Sequence, residues 1–87
     1  MSNLLERLSE TLDLPAEAVA GTPRVILTGT GRVLIENHRG LTSCTETAVE
    51  AEGRPGRIRV RGTGLLLRAM DGEMLLVTGR ISGVDLE

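Results

Sequence analysis

The sequence predicts an all-β fold, a small antiparallel sheet or sandwich built from hairpins, behind a short N-terminal α-helix. Strand-like apolar runs recur roughly every eight to ten residues from residue 23 onwards, as in small all-β folds. Glycine-containing turns separate these runs, whereas the apolar residues before residue 15 follow helical spacing. A short β-solenoid or roll is the alternative, because Val60-Arg61-Gly62 and Val77-Thr78-Gly79 hint at an internal repeat.

Length and composition limit the choice of function. The 87 residues form one domain, which we divide into an N-terminal helical segment over residues 1–22 and a β domain over residues 23–87. The chain has no aromatic residue and a formal net charge of -2, which argues against single-stranded nucleic-acid binding. Cys44 is the single cysteine, and no apolar run approaches membrane-spanning length, so we expect a cytoplasmic protein.

The N-terminal helix is predicted over residues 3–14. Asn3 can cap its first turn, Glu6 completes a capping box, and Pro15 stops the helix. Two roles stay open for its apolar stripe, which either packs on the chain's own sheet or docks on a partner protein. The stripe consists of Leu4, Leu5, Leu8 and Leu12.

The first predicted hairpin joins strands over residues 24–29 and 32–37 through a two-residue loop, Thr30-Gly31. Each strand contains three consecutive apolar residues instead of an alternating pattern. Because such runs are typical of strands covered on both faces, we expect the helix on one face of this hairpin and further sheet on the other. Residues 37–40 form the next turn, since Asn and Gly tolerate positive φ.

The rest of the chain is predicted as a short strand, two more hairpins and a closing strand. Gly83 interrupts the alternation of the closing strand and indicates a bulge or a kink. The predicted strands cover residues 41–44, 47–52, 57–62, 65–70, 74–80 and 81–86, with loops at 53–56 and 71–73.

The loop at residues 53–56 fixes the register of the middle hairpin. It sets Glu52 opposite Arg57 and Glu50 opposite Arg59, with the apolar residues of both strands on the other face. The alternating arginines, Arg57, Arg59 and Arg61, then lie on the same face as Glu50 and Glu52, whose charges neutralise theirs. We expect a solvated, self-paired face there rather than an anion-binding site.

These residues do not assemble into a recognisable catalytic, cofactor-binding or metal-binding set. His38 is the single histidine, and general-base catalysis by histidine needs an orienting partner and a nucleophile. One histidine and one cysteine are too few for a zinc site within one chain. We therefore expect no enzymatic activity, a role for His38 in turn structure or recognition, and a buried structural position for Cys44.

Surplus apolar residues predict self-association. Leu65-Leu66-Leu67 and Met74-Leu75-Leu76-Val77 place apolar residues on both faces of their strands, and a single helix is too small to cover all of them. Small sheets also leave edge strands open to pairing. We expect a homo-oligomer or an obligate complex.

The segment Glu36-Asn37-His38-Arg39-Gly40 resembles the YabP/YqfC family of sporulation proteins, and its YqfC branch in particular. Later segments, among them Leu65-Leu66-Leu67, fit the same pattern, and the resemblance covers residues 14–86. It implies a non-enzymatic accessory or scaffold protein of endospore formation, with no catalytic, cofactor or metal residues to carry over. We predict partner recognition by Glu36, Asn37, His38, Arg39 and Gly40.

The resemblance also implies a partner. Proteins similar to YqfC are associated with a membrane-bound stage IV sporulation protein of the YqfD type. We therefore expect action in the mother-cell cytoplasm, peripheral to a membrane through that partner and without contact to nucleic acid. Two other functions stay open, a self-assembling β protein that forms a polymer or lattice and a small-barrel nucleic-acid binder.

Overall fold

The computed structural model describes residues 21–53 and 56–87, so the helix predicted over residues 3–14 lies outside the described part. The described residues form one antiparallel sheet of six strands and contain no helix. This confirms the all-β, hairpin-built prediction and excludes the solenoid, whose strands would be parallel. The strands are β1 (Arg24–Thr28), β2 (Arg32–Glu36), β3 (Gly40–Cys44), β4 (Ala48–Glu52), β5 (Arg57–Met70) and β6 (Met74–Leu86).

The strand order is β1-β2-β6-β5-β4-β3. The two long central strands, β5 and β6, each run through both halves of the sheet. The first part of β6 pairs with β2, whereas the first part of β5 pairs with β4. We call β1, β2, residues 74–78 of β6 and residues 66–70 of β5 the β1–β2 half. We call β3, β4, residues 57–61 of β5 and residues 83–86 of β6 the β3–β4 half.

Glycine bends in β5 and β6 join the two halves. The Gly62 N–H donates to the carbonyl of Thr47 at 3.0 Å, just before β4, and the Gly79 N–H donates to the carbonyl of Gly31 at 3.3 Å, just before β2. The two bends therefore take equivalent places in the two halves. A Cβ at Gly62 would strike the carbonyl oxygen of Arg80, and Gly79 has a φ of +140°, so both positions require glycine.

The predicted division of β5 and β6 into shorter strands is wrong. The sequence predicted separate strands over residues 57–62 and 65–70, but β5 runs through both, and β6 likewise runs through 74–80 and 81–86. Pairing continues through the bends because the glycines absorb the change of direction as register shifts. The bulge predicted at Gly83 is confirmed by the shift between Arg61 and Gly62 in the β5–β6 register.

One hydrophobic core lies between the two halves. Because both halves contribute to the same cluster, the bent sheet closes over its own inner face, as a small sandwich does. The bends add Leu65 and Ile81 to this core. The other buried residues are Val33, Ile35, Leu75 and Val77 from the β1–β2 half and Val49, Ala51, Ile58 and Val60 from the β3–β4 half.

The hairpins match the sequence prediction in the middle of the chain but not at its start. Glu52 pairs with Arg57 and Glu50 with Arg59, so the predicted middle register is confirmed. In the first hairpin Thr28 pairs with Arg32, so the loop holds Gly29 as well as the predicted Thr30-Gly31. Gly29 has a φ of +59°, and this left-handed conformation turns the chain one residue earlier than predicted.

Candidate functional site

His38 lies at the turn between β2 and β3 and is buried, with 7% of its surface exposed. Its Nδ1 accepts the Gly40 N–H at 3.0 Å, so the proton of a neutral ring sits on Nε2. Nε2 then donates to the carbonyl oxygen of Asp71 at 2.9 Å. The ring thus ties the first residue of β3 to the loop between β5 and β6, and both its nitrogens are used.

The loop between β5 and β6 is held by the carboxylate of Asp71. Its Oδ1 accepts the N–H groups of Glu73 at 2.8 Å and Met74 at 2.7 Å. These two backbone hydrogen bonds hold the pKa of Asp71 below its usual value. The charged form of Asp71 therefore stabilises the loop that receives the histidine.

The other predicted recognition residues surround His38 in different environments. Asn37 adopts a φ of +62°, and its Nδ2 donates to the carbonyl of Thr22 at 3.1 Å. The Arg39 N–H donates to the carbonyl of Glu52 at 2.7 Å, while the Arg39 side chain is exposed.

Glu36 and Gly40 complete this segment. Glu36 pairs with Arg24 at 3.5 Å, and Gly40 has a φ of +139°, which favours glycine. The backbone bonds and the buried ring make residues 36–40 a structural joint, and Asn37 and Arg39 are the members that it exposes.

Neither Cys44 nor the carboxylates of the described residues build a metal site. Among residues 21–53 and 56–87, three or more His, Cys, Asp or Glu side chains nowhere come together in a group that could hold a metal ion. Cys44 is a free, exposed thiol, so the predicted burial is wrong. Its strand lies at the edge of the sheet and ends at Cys44, which leaves the side chain without cover.

The outer face of the β1–β2 half is apolar. Ile26, Leu34, Leu76 and Ala69 lie directly opposite one another across its four strands. Leu34, Ala69 and Leu76 also line a surface groove together with Met70, Asp71 and Met74. We call the following set the apolar outer face: Ile26, Leu34, Leu66, Ala69, Met70, Met74 and Leu76.

This face is substantially open to solvent. Leu66 is 57% exposed, Met70 54% and Met74 39%, whereas Leu34 and Leu76 are half-buried. The expectation that the first hairpin is covered on both faces therefore holds in the described residues only for the core side, where Val33 and Ile35 are fully buried.

The outer face of the β3–β4 half is charged. The row that corresponds to the apolar one reads Ser43, Glu50, Arg59 and Asp85. Glu50 lies 3.6 Å from both Arg57 and Arg59. Arg61 binds Asp85 at 2.6 Å, a hydrogen bond that raises the pKa of the arginine. The predicted self-paired face is thus confirmed, and we call it the charged outer face.

Sequence reasoning predicted surplus apolar residues at 65–67 and 74–77 but did not identify the apolar outer face as one site. Its signal was present in the uninterrupted apolar runs Val25-Ile26-Leu27 and Val33-Leu34-Ile35, which the sequence alone assigns to strands with two covered faces. Only the strand pairing shows that the second face of these runs joins Ala69 and Leu76 in one continuous surface.

Comparison with known proteins extends the resemblance seen in residues 36–40. The model of the YabP family matches residues 20–87. The chain belongs to the YabP family. It is also 30% identical over 77 residues to the uncharacterized protein YqfC of Bacillus subtilis (strain 168), a match that covers 88% of this chain and 83% of YqfC. No solved structure matches the chain.

Membership of the YabP family makes this a sporulation-related protein. The matched region takes in the whole described sheet, including the histidine joint and both outer faces. Within the described residues, no helix is long and apolar enough to cross a membrane.

Proposed function

We propose that this chain is a non-enzymatic accessory protein of sporulation that acts by binding another protein through its apolar outer face. The face itself carries the proposal. Contiguous apolar patches are uncommon on soluble proteins and mark interaction sites when they are large. Here four residues from four strands form one row, and exposed Met70 and Met74 extend it.

The surrounding residues favour recognition over chemistry. Both nitrogens of the His38 ring are hydrogen-bonded to backbone groups. The carboxylates of Glu50 and Asp85 pair with arginines, and that of Asp71 accepts backbone N–H groups. Methionines at the rim add adaptable apolar contact, as they do at other protein-binding surfaces. The partner that we propose is a membrane-bound sporulation protein of the YqfD type, which would hold this chain at the mother-cell side of a membrane.

A pair of matched substitutions tests this proposal. Ala69→Glu places a charge in the apolar row, whereas Ala48→Glu places the same charge on the charged outer face, opposite Arg61. Co-expression with the YqfD-type protein and detergent capture measures binding. We expect Ala69→Glu to reduce capture roughly tenfold or more, because partner binding would remove the new charge from water, and Ala48→Glu to leave capture unchanged. Equal capture by the two variants would contradict the proposal.

Self-assembly is a second candidate, and the sheet topology favours it. Strands β1 and β3 lie at the two ends of the described sheet, where their outer backbone groups are open to pairing with another copy. Light scattering at micromolar concentration separates the alternatives. A discrete small homo-oligomer supports the adaptor, large heterogeneous species support the polymer, and a stable lone monomer contradicts the predicted association.

A further inference from the structure

The apolar outer face reaches the end of the sheet at which the described chain begins. Arg24, the first residue of β1, pairs with Glu36, which in turn pairs with Met74. The Asn37 side chain fixes the carbonyl of Thr22 at this same end of the sheet. The described chain therefore begins at the same end of the sheet as Met74, two strands away from it.

That segment has the composition of a ligand for this face. Its Leu4, Leu5, Leu8 and Leu12 share one side at helical spacing, the pattern by which amphipathic helices bind apolar grooves. Charge favours the same pairing. Residues 1–20 contain four acidic side chains and one arginine, whereas residues 21–87 contain nine arginines and eight acidic side chains. Arg32 and Arg68, beside the apolar row, make no ion pair with any other described residue.

The distances also agree. Six residues, 15–20, connect the predicted helix to the described chain, and an extended chain of that length reaches roughly 20 Å. Four strands about 4.8 Å apart span only about 14 Å, so the leucines can reach any part of the row. A helix of residues 3–14 would be about 18 Å long, close to the width of the face.

We propose that residues 3–14 of the same chain cover the apolar outer face when no partner is bound, and that the partner must displace them. This inference rests on the proposed function, because it concerns the regulation of the same surface. A competing segment of the same chain lowers the apparent affinity for the partner by the fraction of molecules in which the face is open.

Disulfide trapping in the full-length chain tests the cover. In a Cys44→Ser background, Leu8→Cys is combined either with Ala69→Cys on the apolar outer face or, as the control, with Ala48→Cys on the charged outer face. A third protein combines Glu10→Cys, on the opposite side of the leucine stripe, with Ala69→Cys. Oxidation at low concentration and mass spectrometry distinguish disulfides within one chain from those between chains.

We expect the Leu8→Cys and Ala69→Cys pair to close within one chain roughly tenfold faster than either control, because docking raises the effective concentration of the two thiols. The trapped protein should then lose capture of the YqfD-type partner and regain it after reduction. Equal rates for all three pairs, or a product linked mainly between chains, would overturn the proposal.

The two proposals fail separately. If no intrachain disulfide forms while Ala69→Glu still abolishes partner capture, the face binds the partner and only the internal cover is wrong. If the disulfide forms but the trapped and reduced proteins capture the partner equally, residues 3–14 cover the face and the proposed function is wrong.

Discussion

The two halves of this sheet share one strand arrangement but present opposite surfaces. In the β1–β2 half, Leu34 and Leu76 occupy the centre of the outer row, and in the β3–β4 half the corresponding positions are Glu50 and Arg59. Both halves contribute aliphatic residues to the shared core. The comparison shows two separate roles for the residues of each strand. The inner-face residues stabilise the fold, and the outer-face residues determine whether each half contacts water or another apolar surface.

The charged outer face is suited to water. Its ion pairs are exposed, and exposed pairs contribute only about 0.2 to 1 kcal/mol each, so they determine solubility more than stability. The apolar outer face does not favour solubility, because exposing apolar surface to water costs about 25 cal/mol per Å². A surface that is unfavourable in solvent is retained when something else covers it, which is the basis of both proposals.

The largest effect is expected at the joint on which both halves depend. His38 accepts from Gly40 of the β3–β4 half and donates to Asp71 at the end of the β1–β2 half. His38→Ala leaves both backbone groups without their partner in a buried place, so it should lower the free energy of unfolding by roughly 2 to 4 kcal/mol. Urea denaturation measures this, with His38→Asn as the control that keeps an acceptor near Gly40. A loss below about 1 kcal/mol would show that the joint is dispensable.

Two equivalent core positions test whether the halves are equal partners. Val60 and Val77 are both fully buried and both precede a glycine bend by two residues. Substitution by alanine removes two methyl groups, so each variant should lose roughly 1 to 2 kcal/mol. Thermal melts of Val60→Ala and Val77→Ala should agree within about 0.5 kcal/mol. A large difference would show that one half carries the stability and the other is an appendage.

The sequence predicted the middle hairpin well because its alternation is strict. A one-residue slip there would bury Glu50 and Arg59, so only one register is compatible with a buried inner face. It predicted β5 and β6 less well, because a glycine can either end a strand or bend it. Gly62 and Gly79 bend their strands without ending them. The hydrogen bonds that distinguish a bend from a strand end run from these glycines to the carbonyl groups of Thr47 and Gly31, which are distant in sequence.

The candidate site was harder to predict than the fold. The segment from Glu36 to Gly40 was identified, but the partner of the His38 ring lies 33 residues further along the chain, at Asp71. The apolar outer face was hidden for another reason. A run such as Val33-Leu34-Ile35 indicates that both faces of a strand avoid water, and it does not indicate whether the second cover comes from the same domain.

A smaller effect is expected on the charged outer face. Arg59 lies 3.6 Å from Glu50 with both side chains partly exposed, so Arg59→Ala should lower the free energy of unfolding by less than about 1 kcal/mol. The neighbouring Val60→Ala provides the matched comparison, and added salt should weaken only the contribution of the arginine. If Arg59→Ala destabilises the isolated protein more than Val60→Ala, the two faces of β5 have been assigned wrongly.

The smallest effect concerns pH and the loop that receives His38. The pKa of Asp71 is lowered in the folded state by hydrogen bonds from the Glu73 and Met74 N–H groups. A carboxyl group with a depressed pKa stabilises the fold above its unfolded value of about 3.9 and loses that contribution as the pH falls through the folded value. The urea midpoint of the wild-type protein should therefore decrease below about pH 4 more steeply than that of Asp71→Asn, whose amide oxygen can still accept both N–H groups but does not titrate. Because Asp71 is fully exposed to solvent, the difference should be small, and parallel pH profiles for the two proteins would show that the carboxylate charge does not support this loop.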